Sequence, residues 1–173
     1  MLGVTACSSG SGSGNTSATK PSSGAVDINS VPRDKLKQGG TLNWAIDQYS
    51  TQWNYNQVNG PEYSTDAVDE AVMPMIYRVD PATQKPVLNT NYVTNAVQSV
   101  VGGKETVTYD INPKATWSDG TPITYKDFAA QWQALNGTNP KYQAASSTGY
   151  ANISGITRGT SDKQAVVTFS TNF

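Results

Sequence analysis

The sequence predicts a mixed α/β fold in one domain. Three observations carry that prediction. Phe128, Trp132 and Leu135 recur at i, i+4 and i+7, the spacing of one buried helix face. Alternating apolar and polar residues flank Gly102-Gly103, a hairpin pattern in which both glycines accept positive φ. Ala165, Val167 and Phe169 alternate in a further strand.

Composition bounds the chemistry. The chain has 173 residues and a net charge of -1, from 12 Lys plus Arg against 13 Asp plus Glu. Such a balance favours neither nucleic acid nor an anionic membrane surface as a partner. There is no histidine and one cysteine, Cys7. A Ser-His-Asp triad, a Cys-His pair and the common zinc sites therefore lack their residues, and no disulfide forms within the chain. No metal or cofactor is expected. No run of 18 apolar residues is present.

The elements follow in chain order. Residues 1–7 read MLGVTAC, and Val4-Thr5-Ala6-Cys7 has the form of a lipobox, in which a lipidated cysteine becomes the new N-terminus. The basic n-region and longer apolar run of a full signal are not in the sequence, so the stretch reads as a partial lipoprotein signal. Residues 8–38 are expected to be a tether, because 8–24 are almost wholly Ser, Gly, Thr, Asn and Pro and cannot offset the entropy of folding. The folded part is expected over 39–173. Thr41–Ile46 alternates, with Leu42, Trp44 and Ile46 on one face, and predicts a strand. The polar, aromatic-rich DQYSTQWNYNQVNGP, residues 47–61, predicts a long loop.

A helix is expected to open at Thr65-Asp66, with Asp66, Asp69 and Glu70 at its positive end and Pro74 as its stop. Val97–Val101 and Thr106–Ile111 form the arms of the Gly-Gly hairpin. Next comes WSDGTPITYKDF, residues 117–128. Its lone acid, Asp119, reads as a turn residue bonding its own backbone, with Gly120 completing the turn and Pro122 stiffening the exit. Trp117 is expected to pack beneath this corner. Thr124 and Asp127 stand in capping-box register, and Ile123 with Phe128 forms a hydrophobic staple. Removing the cap by Thr124→Ala is expected to cost about 1 kcal/mol in a denaturation midpoint measurement. Asn136-Gly137 supplies the C-terminal stop.

The block Ile76 to Trp132 resembles the N-terminal part of extracellular solute-binding proteins of family 5, most closely its actinobacterial members. The pieces come in the family's order: Gly39-Gly40-Thr41-Leu42, the Tyr-x-Val-Asp run at Tyr77, Pro86-Val87-Leu88, Thr108–Ile111, then Trp117-Ser118-Asp119-Gly120-Thr121-Pro122 and the Thr124-x-x-Asp127-Phe128 helix start. The resemblance covers roughly Gly39 to Phe169. It implies the first part of a periplasmic-binding-protein-like type II lobe, with the family's small extra α+β subdomain, cut from a longer protein. It implies a lipid-anchored, extracytoplasmic or periplasmic binding component of an ABC importer, with oligopeptides as ligand and permease subunits as partners. No enzymatic activity is implied. The family's first strand ends near the cleft, which marks the loop after Ile46 as the contact surface. There Asp47 would meet a cationic group, Gln48 and Asn54 would pair with peptide backbone, and Tyr49 and Trp53 would stack on side chains. The alternative for each is a local packing or capping role.

Two other classes stay open. A carboxylate-dependent hydrolase such as a glycosidase would draw on Glu62, Asp66, Asp69, Glu70 or Asp119, and needs two carboxyls facing across a cleft. The first four are explained by a helix start. A lipid-anchored surface or assembly module without a small ligand would also use the tether.

Overall fold

The computed structural model describes residues 31–172. Cys7 and most of the expected tether lie outside the described residues. The elements are α1 (Tyr63–Val72), β1 (Tyr77–Val79), β2 (Pro86–Leu88), β3 (Val93–Val101), β4 (Lys104–Ile111), α2 (Tyr125–Leu135), β5 (Ile153–Arg158) and β6 (Gln164–Phe169), with three short 3-10 turns. The fold is mixed α and β. β3, β4, β6 and β5 form one antiparallel sheet in that spatial order, and β1 pairs with β2 in a separate two-stranded ribbon.

The β3–β4 hairpin turns at Gly102 and Gly103, with φ of 58° and 77°, a backbone region closed to most side chains. Both arms run longer than the alternation suggested. α2 lies against β5 and β6. Between helix and sheet, Ile111, Ala115, Ile123 and Ala165 form the core, with Tyr109, Trp117, Phe128 and Ile156 packed onto it. The rings of Tyr109 and Phe128 stand 5.6 Å apart. Burial, with smaller contributions from Tyr77 and Tyr150, raises the Tyr109 hydroxyl to about 12. A folded-state value above the unfolded value near 10 gives stability that is complete below pH 10 and lost as pH rises through about 12. The difference in urea midpoint between the parent chain and Tyr109→Phe is therefore expected to shift toward the variant over that interval. A difference independent of pH would contradict the assignment.

Thr41–Ile46 departs from expectation: it forms no strand. Leu42, Trp44 and Ile46 are 79%, 67% and 41% exposed. A strand is a paired object, and no described segment offers this stretch a ladder of backbone partners. Alternation records a capacity to pair, and the partner decides whether it is used. α1 also differs. It starts two residues earlier than Thr65, and it buries its polar first turn, Ser64 and Thr65, while Val72 stays 66% exposed. It ends before Pro74, as the missing N–H requires.

The corner between β4 and α2 is densely tied. Trp117 N–H donates to the Thr121 carbonyl at 2.8 Å, and Ile123 N–H donates to Ala115 at 3.1 Å. The loop joining β5 and β6 reaches the same corner. Tyr125 N–H donates to the Asp162 carbonyl at 2.9 Å, Ile111 N–H to the Lys163 carbonyl at 2.8 Å, and Lys163 Nζ to the Ala115 carbonyl at 2.9 Å.

Candidate functional site

The loop 47–61 is held at three points. Ser50, 1% exposed, shares a 2.7 Å hydrogen bond with the Thr65 hydroxyl in the first turn of α1 and donates to the Gln52 carbonyl. Asp47 Oδ1 accepts from the Ser64 hydroxyl at 2.7 Å. That bond is the main reason the Asp47 carboxyl is held below its ordinary range. Farther along, Val58 N–H donates to the Gln143 carbonyl at 2.9 Å and Ala145 N–H to Asn56 at 2.8 Å, so the loop pairs briefly with a segment that follows α2. These anchors are polar and distant in sequence, and no local pattern announces them.

The expected contact residues do not converge on one place. Asp47 is tied to the start of α1. Tyr49 and Trp53, 79% and 46% exposed, meet edge to face with ring centroids 6.4 Å apart. This pairing leaves both ring systems open to solvent on one side of the loop. Asn54 lies elsewhere, on the wall of a cavity. Gln48 is exposed on the backbone between Asp47 and Tyr49.

The cavity is the feature that reading the sequence missed. It has a volume of 290 Å³ and lies between the 54–56 loop, the Met73-Pro74 segment after α1, and α2. Its floor is apolar: Val93, Ile123 and Leu135 are 1%, 5% and 6% exposed. α2 contributes Asp127, Phe128, Gln131, Ala134 and Leu135, one face at helical spacing. The periodicity of α2 showed that this face is apolar. It did not show that the face is only partly covered.

The corner itself is built around Asp127. Its Oδ2 accepts from Thr124 N–H at 2.7 Å, and its Oδ1 accepts from Trp117 Nε1 at 3.1 Å. The Thr124 hydroxyl accepts from Lys126 N–H at 3.3 Å, and the capping box is completed by the Asp127 backbone on the Thr124 side chain together with the Asp127 carboxylate on Thr124 N–H. Asp119 is exposed, and its Oδ1 accepts from Thr121 N–H at 2.8 Å. The turn at Thr121 lowers the Asp119 carboxyl below its ordinary range. Gly120 holds φ at 86° and Pro122 bridges to Thr116 across the turn. A carboxyl held ionised on the surface is poorly suited to act as a general acid. Among the other acids, burial raises Asp69, with Asp66 adding to the rise. Among the described residues no group of His, Cys, Asp or Glu side chains is arranged to hold a metal ion.

No family model matches the chain. Over 144 residues it is 36% identical to the oligopeptide-binding protein OppA of Mycobacterium tuberculosis and of Mycobacterium bovis, a match covering 83% of this chain and 24% of the relative. It is 36% identical over 73 residues to an uncharacterized lipoprotein of Mycobacterium tuberculosis, covering 42% of this chain and 13% of that one. Among solved structures it superposes on a periplasmic EDTA-binding protein, EppA, with a TM-score of 0.63 and 28% identity, over 68% of this chain and 22% of that one. The chain thus spans about a quarter of the length of the curated relative it matches over most of its own length.

Proposed function

We propose that this chain, which belongs as a segment to the extracellular solute-binding proteins of family 5, takes part in capturing oligopeptides outside the cell membrane for an ABC importer. The observation that carries the reading is the 36% identity to an oligopeptide-binding protein across 83% of the chain. In this reading the chain is a binding module and not an enzyme. Permease subunits are its protein partners, and a lipid on Cys7 is its link to the membrane. The relative named as a lipoprotein supports that last point.

The ligand meets the loop after Ile46. The exposed, mutually braced rings of Tyr49 and Trp53 are a surface on which peptide side chains stack, and such contacts are worth most where water is excluded. Asp47, already ionised and held by Ser64, is placed to meet a cationic group. Gln48 and Asn54 supply carboxamides for peptide backbone.

Calorimetry with a tripeptide or tetrapeptide series tests this. A longer protein containing this chain and the remaining length of its relatives is expected to bind peptide, and Asp47→Ala and Trp53→Ala are each expected to weaken binding about tenfold, a loss near 1.4 kcal/mol. The 173-residue chain alone is expected to bind oligopeptides weakly. Unchanged affinity in both variants would remove the loop from the site.

A further inference from the structure

We infer that the cavity between the 54–56 loop and α2 is a selective pocket for one apolar side chain of a bound peptide, with Asn54 and Asn56 at its rim engaging the peptide backbone beside it. This rests on the oligopeptide reading and adds a preference to it.

Size is the first argument. The volume of 290 Å³ is about twice that of an engineered apolar cavity that takes up benzene, and it falls at the small end of ligand pockets. One aromatic or branched aliphatic side chain fits, and a whole peptide does not.

The lining is the second argument. Val93, Ile123 and Leu135 make a buried apolar floor, and Phe128 and Met73 wall it. The one ionisable carboxylate on the wall, Asp127, already uses both oxygens, on Trp117 Nε1 and Thr124 N–H. An apolar side chain entering the cavity meets apolar atoms, whereas a cationic one would give up its hydration against the same floor, which is costly.

The rim is the third argument. Asn54 Oδ1 accepts from Asn56 N–H at 3.1 Å, while the Asn54 amide nitrogen and the Asn56 carboxamide have no partner among the described residues. Gln131 spends its amide nitrogen on the Tyr150 hydroxyl at 3.0 Å and keeps its carbonyl oxygen. Donors and acceptors set around an apolar floor are what an extended backbone with one side chain turned inward requires.

The test is a titration of the chain, followed by NMR, with two blocked amino acids, N-acetyl-phenylalanine amide and N-acetyl-lysine amide. The phenylalanine probe is expected to shift the resonances of Phe128, Leu135 and Asn54 with an affinity at least about tenfold above that of the lysine probe. Ala134→Phe, or the milder Ala134→Leu, fills the cavity from α2 and is expected to remove that response at unchanged fold. Equal response to the two probes overturns the inference, and that comparison needs neither variant. A phenylalanine response that survives in a folded filled variant also overturns it. If the probe behaves as described while the longer protein binds no oligopeptide, the pocket stands and the peptide reading falls.

Discussion

Gly60→Ala is expected to be among the most damaging single substitutions in the chain, costing about 2–4 kcal/mol. A Cβ built on Gly60 stands 2.0 Å from the Asn54 carbonyl oxygen, 2.8 Å from its carbon and 3.0 Å from the Tyr55 Cα. All three are backbone atoms, so no side-chain rotation relieves the overlap. Nor is the turn free to open. Gly60 N–H donates to the Gln57 carbonyl at 2.8 Å, Gln57 N–H donates to Asn54 at 3.0 Å, and Gln57 bridges to Ala144. The glycine here answers close approach and not a left-handed backbone. Urea denaturation gives the comparison, with the slope checked for constancy. A change within about 0.5 kcal/mol would mean that the 54–60 turn is looser than described. Because the same turn carries Asn54 and Asn56, the variant is also expected to blunt the response to the phenylalanine probe.

Asp127→Ala comes second, at about 2–3 kcal/mol. One carboxylate accepts from two groups that belong to different elements: Thr124 N–H at the helix start and Trp117 Nε1 at the turn. Truncation strands both donors in a partly buried corner, and the penalty for an unsatisfied donor exceeds the net worth of the bond. Asp127→Asn keeps an acceptor for one of the two and is expected to lose about half as much. Asp119→Ala, whose exposed carboxylate serves only the turn at Thr121, is expected to lose less than either. Thermal and urea midpoints rank the three. An Asp119→Ala variant less stable than Asp127→Ala would invert the assignment of roles within the corner.

What the sequence made legible was whatever had a local cause. The Thr124-x-x-Asp127 spacing, the i, i+4, i+7 apolar run and the Gly-Gly pair are each complete within about a dozen residues, and each corresponds to an element of the fold. β1, β2 and β5 were not legible. The first two are three residues long, and β5 reads ISGITR, with a glycine where alternation would continue. Thr41–Ile46 shows the reverse case, a strand pattern without a described partner. The candidate site was legible only in part. Asn54 could be singled out as a carboxamide in an aromatic loop, but its place on the cavity wall depends on the pairing of 56–58 with 143–145 and on the path of Met73-Pro74. Trp117 packs onto the core at this corner as its position predicts, but its bond to Asp127, ten residues on, depends on the path of the turn between them.

The tie between the β5–β6 loop and the corner sets how the domain comes apart. Tyr125, the first residue of α2, holds Asp162, and Lys163 holds both Ile111 and Ala115. The start of the helix, the end of β4 and the last hairpin are therefore one cooperative unit, since none of them can open without releasing the other two. Their amide protons should exchange with solvent through a common rare opening, whereas those of Thr41–Ile46, with no such ties among the described residues, are expected to exchange faster.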